Sequence, residues 1–445
     1  MPRENPFYYN LPTRPEDFIG RWPLVDEIVA DLCRPRPDSW AVIGGRRFGK
    51  SSVLKVMESR LSARLAGCGQ GDRHIIPLVV DLKRCGTESE RSVYACIVRE
   101  LHRALCRNCG LVLDLSKTLL HTIADNHEEA LSFYQFEDAL DDLATHVEEQ
   151  LGPLRLSLLL DEVEAATRFP WSETLFNQLR ALIYDGPLAN VVRLVLTGSA
   201  QVTRVRHAGS PLLNAVKIVH LEPFSEPDLQ DLIARSGEVA EEVSSVVQAQ
   251  SGGHPFIAQY LLHHLWDDGL AQATLVQAEQ IARQMRQRRA ADLQGWWEAL
   301  GDSGRQTYAL LAAEQDWVDE RTLLAEVKNA TQPLEQGLAA LCYHGLAVRD
   351  ASRQRYRVVG QLFCEWFALN VTRYLAKLES EQLVDKGKLP VEMRIFIQRL
   401  EQHIGSLTSI AGDVSGPVAS GQFESATTVG SGEAVDQRGR VADDE

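Results

Sequence analysis

Gly44-Gly45-Arg46-Arg47-Phe48-Gly49-Lys50-Ser51 follows the short apolar run Trp40-Ala41-Val42-Ile43 and leads into Ser52-Val53-Leu54-Lys55-Val56-Met57, whose apolar positions recur at helical spacing. The stretch fits G-x-x-x-x-G-K-[ST] without a mismatch. Glycines let the backbone approach phosphate oxygens, successive N–H groups point inward, the lysine reaches the β and γ phosphates, and the hydroxyl holds Mg2+. A helix that starts at the end of this loop adds its own attraction for anions. Gly44, Gly45, Phe48, Gly49, Lys50, Ser51 and Ser52 are therefore expected to cradle the phosphates of ATP or ADP, with Ser51 as a metal ligand. Arg46 and Arg47 lie in the same loop, where a guanidinium either contacts phosphate or faces solvent.

Apolar runs on either side of the loop carry the fold class. Residues 74 to 82, 154 to 162, 191 to 199 and 217 to 221 read as further buried strands, with helical patterns between them. Buried strands alternating with helices predict an α/β fold, a parallel sheet with helices on both faces. Ligands on such sheets bind beyond the carboxyl ends of the strands, where the loop, Asp161 and Thr197 converge. Asp161 ends an aliphatic strand and is placed to reach Mg2+ through its water shell, and Glu162 to polarise an attacking water. Thr197 and Ser199 either sense the γ-phosphate or hold that water, or simply terminate a strand. The expected catalytic set is Glu162, Asp161, Lys50 and Thr197, and the expected metal ligands are Ser51 and Asp161.

A chain of 445 residues holds two or three domains. The boundaries expected are a lead-in over residues 1–39, a phosphate-loop core over 40–224, a helical lid over 225–300, a winged helix over 301–370, further helices over 371–405 and a Gly/Ser/Val-rich tail over 406–445. The lid should end in one long helix from about residue 273 to 300, and a separate helix should run from 368 to 380. The formal net charge of −15 argues against broad binding to nucleic-acid backbones. No apolar run is long enough to span a bilayer, so the cytoplasm is the expected compartment. Eight cysteines scattered through apolar segments suggest reduced thiols. Cys106 and Cys109 form the one close pair, and a metal role for them needs a second pair of ligands that the sequence does not reveal.

In order, Phe18-Ile19-Gly20-Arg21, the phosphate loop, Leu158-Leu159-Leu160-Asp161-Glu162, Leu196-Thr197-Gly198-Ser199 and Ser251-Gly252-Gly253-His254-Pro255-Phe256 resemble the motifs of AAA-like P-loop ATPases of the STAND class. The resemblance implies a P-loop NTPase core, a helical lid and a winged helix that fold over ADP, then open or assemble as a homo-oligomer when ATP binds. It also implies that Phe18 and Ile19 line the adenine pocket together with Arg21, and that Pro255 touches the base from the lid. A slowly hydrolysing ATPase switch in signalling or defence, acting through a separate effector protein, is the expected function.

The first alternative is a DNA-associated, origin-recognition-like ATPase with the same plan. It is disfavoured because Thr331-Gln332-Pro333-Leu334-Glu335-Gln336-Gly337-Leu338-Ala339-Ala340-Leu341, the expected recognition helix, has no lysine or arginine. The second is a nucleotide-stabilised scaffold that scarcely hydrolyses ATP. Arg283, Arg286, Arg288 and Arg289 form a solvated helix face or contact phosphates. Residues 410 to 421, where Val, Gly and Ser recur, either form a flexible tail or template cross-β stacking.

Overall fold

Trp40, Ala41, Val42 and Ile43 are all buried within strand β1 (Ser39–Ile43), yet they serve two different cores. Ala41 and Ile43 pack into one apolar cluster and Trp40 and Val42 into another, as the two-residue period of a strand requires. β3 (Leu154–Asp161) and β4 (Val192–Gly198) divide their side chains in the same way: Leu156, Leu158, Leu160, Leu194 and Leu196 face one cluster, Leu159 and Val195 the other. With β2 (His74–Asp81) and β5 (Val216–His220) they form a five-stranded sheet in the order β2-β3-β4-β1-β5. All its pairings are parallel.

The computed structural model describes residues 4–68, 72–108, 114–184, 186–199, 212–235, 237, 239–267, 269, 272–314, 316–326 and 331–380. The tail, the later of the helices expected over 371–405 and Cys109 lie outside these residues. So does the whole of a second unit, Ile397–Glu445.

Helices α1 (Trp22–Leu32) and α2 (Lys50–Leu65) cover one face of the sheet. The other face is covered by α3 (Glu90–Asn108), α5 (Phe133–Gln150) and α6 (Ser172–Tyr184), with the short α4 (Leu119–Asp125) packed on α3 and α5. Asp161 and Gly198, like Ile43, stand at the carboxyl edge. At the amino edge the buried Arg155 guanidinium donates to the carbonyls of Leu32 (2.9 Å), Arg34 (2.5 Å) and Pro35 (3.0 Å), fixing the turn that feeds β1.

Beyond the sheet come α7 (Glu226–Ala234), α8 (Glu241–Ser251), α9 (Pro255–Asp267), α10 (Leu275–Arg288) and α11 (Ala290–Ala299). The single long helix expected over residues 273 to 300 is thus two. Arg289 has non-helical angles (φ −111°, ψ 21°) because its side chain is held from outside the helix. It donates to Asn10 Oδ1 at 2.8 Å, lies over the Tyr9 ring and pairs with Asp292. Its N–H closes α10 on Met285 O, and its carbonyl accepts from Asp292 and Leu293 to begin α11.

Next, α12 (Gly301–Glu314), β6 (Val318–Asp319), α13 (Glu320–Glu326), α14 (Thr331–Tyr343), β7 (Ala347–Asp350) and β8 (Arg355–Val358) bring three helices together with an antiparallel sheet of order β6-β8-β7. The helix expected to start at residue 368 starts earlier: α15 runs without a break over Gln361–Ser380. Gly360 (φ 80°) turns the chain out of β8, and Phe363 and Cys364 already donate to its carbonyl.

Candidate nucleotide site

The loop between β1 and α2 turns through two left-handed residues, Arg47 (φ 64°) and Gly49 (φ 82°). At Gly49 that conformation precedes the first residue of α2, so the unpaired N–H groups of the helix's first turn face the loop. Phe48 anchors the loop from inside, with its ring fully buried and edge-on to His254 at 4.7 Å. His254 in turn stacks on Trp296 at 4.4 Å. Arg21, itself left-handed (φ 56°), donates to the carbonyls of Phe48 and, at 2.8 Å, Glu222. Burial holds its guanidinium down at about 10, opposed by Asp228.

Lys50 is buried, and its ammonium donates to the Gly44 and Gly45 carbonyls, each at 3.0 Å. Burial pushes the ammonium below its ordinary value, while Glu164, Glu162 and Asp161 pull the other way. Tyr343, the last residue of α14, donates its hydroxyl to the same Gly44 carbonyl at 2.6 Å. A side chain at Gly45 would press on the Phe48 ring and on the Tyr343 carbonyl, about 3.0 and 3.2 Å away, so the loop and the end of α14 approach as closely as glycine allows. His344 follows. Burial and the Lys50 charge push this imidazole down to about 4, and burial, with Arg21 as the next cause, pushes His254 down to about 3.

A cavity of about 330 Å³ opens above the loop. Arg46, Arg47, Phe48, Gly49, Lys50, Ser51 and Ser52 of the loop line it together with Glu162, Lys83, Phe18, Ile19, Arg21 and Pro255. Gly44 and Gly45 lie off its walls and hold Lys50 from below. Phe256 also lines it, as do Tyr8, Tyr9 and Gln259, three residues that no local motif marks. Tyr8 and Tyr9 belong to a strap, residues 5 to 13, that is stitched to α9 and to the loop's helix. Tyr8 N donates to Gln259, Phe7 O meets His263 Nδ1, and Thr13 N donates to Ser52 Oγ.

The two loop arginines have different surroundings. Arg47 is fixed by Asp292 at 3.2 Å and by the Phe256 ring at 4.3 Å, which ties the loop to α11. Arg46 is exposed at the cavity wall. Of the arginine cluster on α10 and at its end, Arg286 pairs with Glu365 and Arg289 with Asp292, so those two are spent within the fold.

Asp161 and Glu162 leave β3 side by side but differ in setting. Asp161 is buried, accepts from the Thr197 hydroxyl and from the Glu162 N–H at 3.0 Å, and faces a cleft that adjoins the cavity through Ser51, Lys83 and Glu162. Thr197 is fully buried behind it. Glu162 is left-handed (φ 57°) and ion-paired to Lys83 Nζ at 2.8 Å. Glu164, one turn on, keeps a buried carboxylate oxygen without a hydrogen-bond partner. Lys83 and Glu164 were not foreseen, since each acquires its position only from the turn that follows its strand.

A parallel sheet of this order, with a glycine loop between β1 and the covering helix α2 and a carboxylate at the end of β3, separated from β1 by β4, is the P-loop NTPase fold. No protein-family model matches the chain, and no curated protein matches its sequence. Among solved structures it is similar to a Walker-type ATPase of Pyrococcus abyssi (17% identity, 81% of this chain and 99% of that chain, TM-score 0.55). It is similar as well to the ORC2 protein of Aeropyrum pernix, determined as ADPNP and ADP complexes (15% identity, 84% of this chain and 99% of that chain, TM-score 0.50). At such identities the likeness is one of fold. Among the described residues no helix is long and apolar enough to cross a membrane.

Proposed function

We propose that the chain binds Mg2+-ATP over the phosphate loop, hydrolyses it slowly and uses the nucleotide as a switch. The observation that carries this reading is the shared cavity: Lys50, Ser51, Glu162 and the aromatic strap line one space. Lys50 would leave the loop carbonyls for the β and γ phosphates. Ser51 and Asp161 would hold Mg2+, whose charge stabilises the transferring phosphoryl group when bound. Asp161 is oriented for that by Thr197, and Glu162 is the base. The adenine would lie between Phe18, Ile19 and Pro255, with Tyr8 and Tyr9 closing the end. Measuring the protein's mass with ADP and with a non-hydrolysable ATP analogue tests the switch: nucleotide-dependent assembly is expected, and one mass in both states would reject it.

Of the two settings foreseen for such a switch, the origin-recognition-like one has at least equal support, because the likeness to ORC2 spans nearly all of that chain. The signalling setting, with its separate effector, rests on sequence motifs alone. A contact with DNA also gains a specific observation. The wing formed by β7, β8 and their turn carries Arg349, Arg353, Arg355 and Arg357, of which Arg349, Arg353 and Arg357 are exposed. We read the three-helix unit with this hairpin as a winged helix that meets DNA through its wing rather than through α14. Salt-dependent retention of duplex DNA, lost in Arg353→Glu/Arg357→Glu, is the expected result. Equal retention by the variant would exclude the wing.

A further inference from the structure

The cleft that adjoins the nucleotide cavity, about 850 Å³ in volume, is lined by the thiol of Cys96 on α3 beside Arg99, Lys83 and Glu162. A second thiol stands behind it. Cys85 follows the turn Leu82–Arg84 at the end of β2 and is buried in the same apolar cluster as Cys96. The chain doubles back tightly here. A side chain at Gly86 would come within 2.7 Å of the Ser92 Cβ, and Cys96 lies one turn further along the same face of α3 as Ser92. The single Cys85 thiol proton has two acceptors in reach, the Asp81 carbonyl at 3.8 Å and the Cys96 sulfur. The two sulfurs are thus neighbours, and both are free thiols.

The hydrogen bond from Cys85, helped by the Arg99 guanidinium, holds the Cys96 thiol below its ordinary value against burial and Glu100. The same bond, together with burial, holds Cys85 up. Because the thiolate is the reactive form of cysteine, Cys96 is the nucleophile of the pair and Cys85 the proton donor.

We propose that Cys96 is an oxidation site for hydrogen peroxide and that Cys85 resolves it, closing a reversible disulfide between the end of β2 and α3. The Cys96 thiolate attacks one peroxide oxygen and the O–O bond breaks. The departing hydroxide takes up the proton that Cys96 released and leaves as water, and Cys96 becomes a sulfenic acid. The Cys85 sulfur then attacks the Cys96 sulfur, the S–O bond breaks and the S–S bond forms. The hydroxyl leaves with the Cys85 proton as a second water. Two thiols are oxidised and one peroxide is reduced. Lys83, two residues before Cys85, pairs with Glu162, so the bond forms against the carboxyl edge of the sheet. The step itself requires no nucleotide.

The test uses the full chain, reduced, desalted and exposed to a stoichiometric amount of hydrogen peroxide before the remaining thiols are alkylated. Trypsin cuts after Arg84, Arg91 and Arg99, so Cys85 and Cys96 fall in separate peptides, 85–91 and 92–99. Mass spectrometry should find the two joined, and dithiothreitol should part them. In Cys85→Ser the bond cannot close, and Cys96 should be trapped as its sulfenic acid by dimedone. Cys96→Ser should lose that label and leave Cys85 reduced. Peptides 85–91 and 92–99 unlinked in the oxidised wild type, or either one joined instead to another cysteine, would overturn the pair. Dimedone on Cys85 in Cys96→Ser, with none on Cys96 in Cys85→Ser, would overturn the assignment of the nucleophile. The wild-type peptide map decides the question even where a variant fails to fold.

Discussion

The hydroxyl of Tyr343 and the carbonyl of Gly44, 299 residues apart in sequence, meet at 2.6 Å. The same carbonyl also accepts from Lys50. Were Lys50 to turn toward phosphates, as proposed, Tyr343 would be the partner that keeps this buried carbonyl satisfied. A buried acceptor left alone costs about 1–3 kcal/mol.

Tyr343→Phe should therefore weaken ATP binding by about tenfold, with little effect on stability in its absence, where Lys50 still holds Gly44. Calorimetric titration reads the difference directly. Equal affinity in variant and wild type would mean that the end of α14 leaves the loop before nucleotide binds.

Thr197 acts on Asp161 and does not reach the cavity, since it is fully buried behind that carboxylate. Hydrogen bonds to charged groups contribute about 1.5–3 kcal/mol, so Thr197→Val should lower kcat by about tenfold or more while KM for ATP changes little. A raised KM with unchanged kcat would instead place Thr197 in ground-state binding.

The Lys83–Glu162 ion pair is half open to solvent, with side chains 55% and 30% exposed. Pairs of that kind contribute about 0–1 kcal/mol. Lys83→Ala should thus release Glu162 only slightly and change turnover by less than about fivefold. Glu162→Gln should keep ATP binding and slow hydrolysis by orders of magnitude. Turnover in Glu162→Gln at the wild-type rate would move the base elsewhere, with Glu164 the first candidate.

His344 and His254 are buried bases held at about 4 and about 3 in the folded state, against about 6.5 unfolded. Between those values the unfolded chain binds protons that the folded chain refuses, so stability is present above about pH 6.5 and is lost as pH falls toward 4. From pH 7 to pH 5 each histidine should cost about 2 kcal/mol. Urea unfolding at the two pH values measures it, and replacing both by Asn should flatten the slope. A wild-type stability that does not change over this range would contradict the burial of the two rings.

The phosphate loop, the buried strands and the carboxylates at the end of β3 were legible because each is written in a few adjacent residues. Glycine and lysine spacing, aliphatic runs and a terminal Asp-Glu all act locally. The break at Arg289 was not legible, because Arg-Gln-Arg-Arg-Ala-Ala holds no glycine or proline. The helix ends there through contacts with Tyr9 and Asn10, some 280 residues away. Tyr343, His344 and the strap tyrosines were missed for the same reason. Arg46 and Arg47 were equivalent in sequence and differ in the fold because Asp292 on α11 and the Phe256 ring on α9 reach one of them. His121 meets His102 only because α4 folds back on α3.

Isothermal titration of Mg2+-ATP into the wild type and into Lys50→Ala tests the central claim most directly. The account predicts saturable binding of one nucleotide per chain to the wild type and none detectable to the variant, with both proteins equally folded by circular dichroism. ATP binding of equal affinity to Lys50→Ala, or no heat of binding to the wild type, would contradict it.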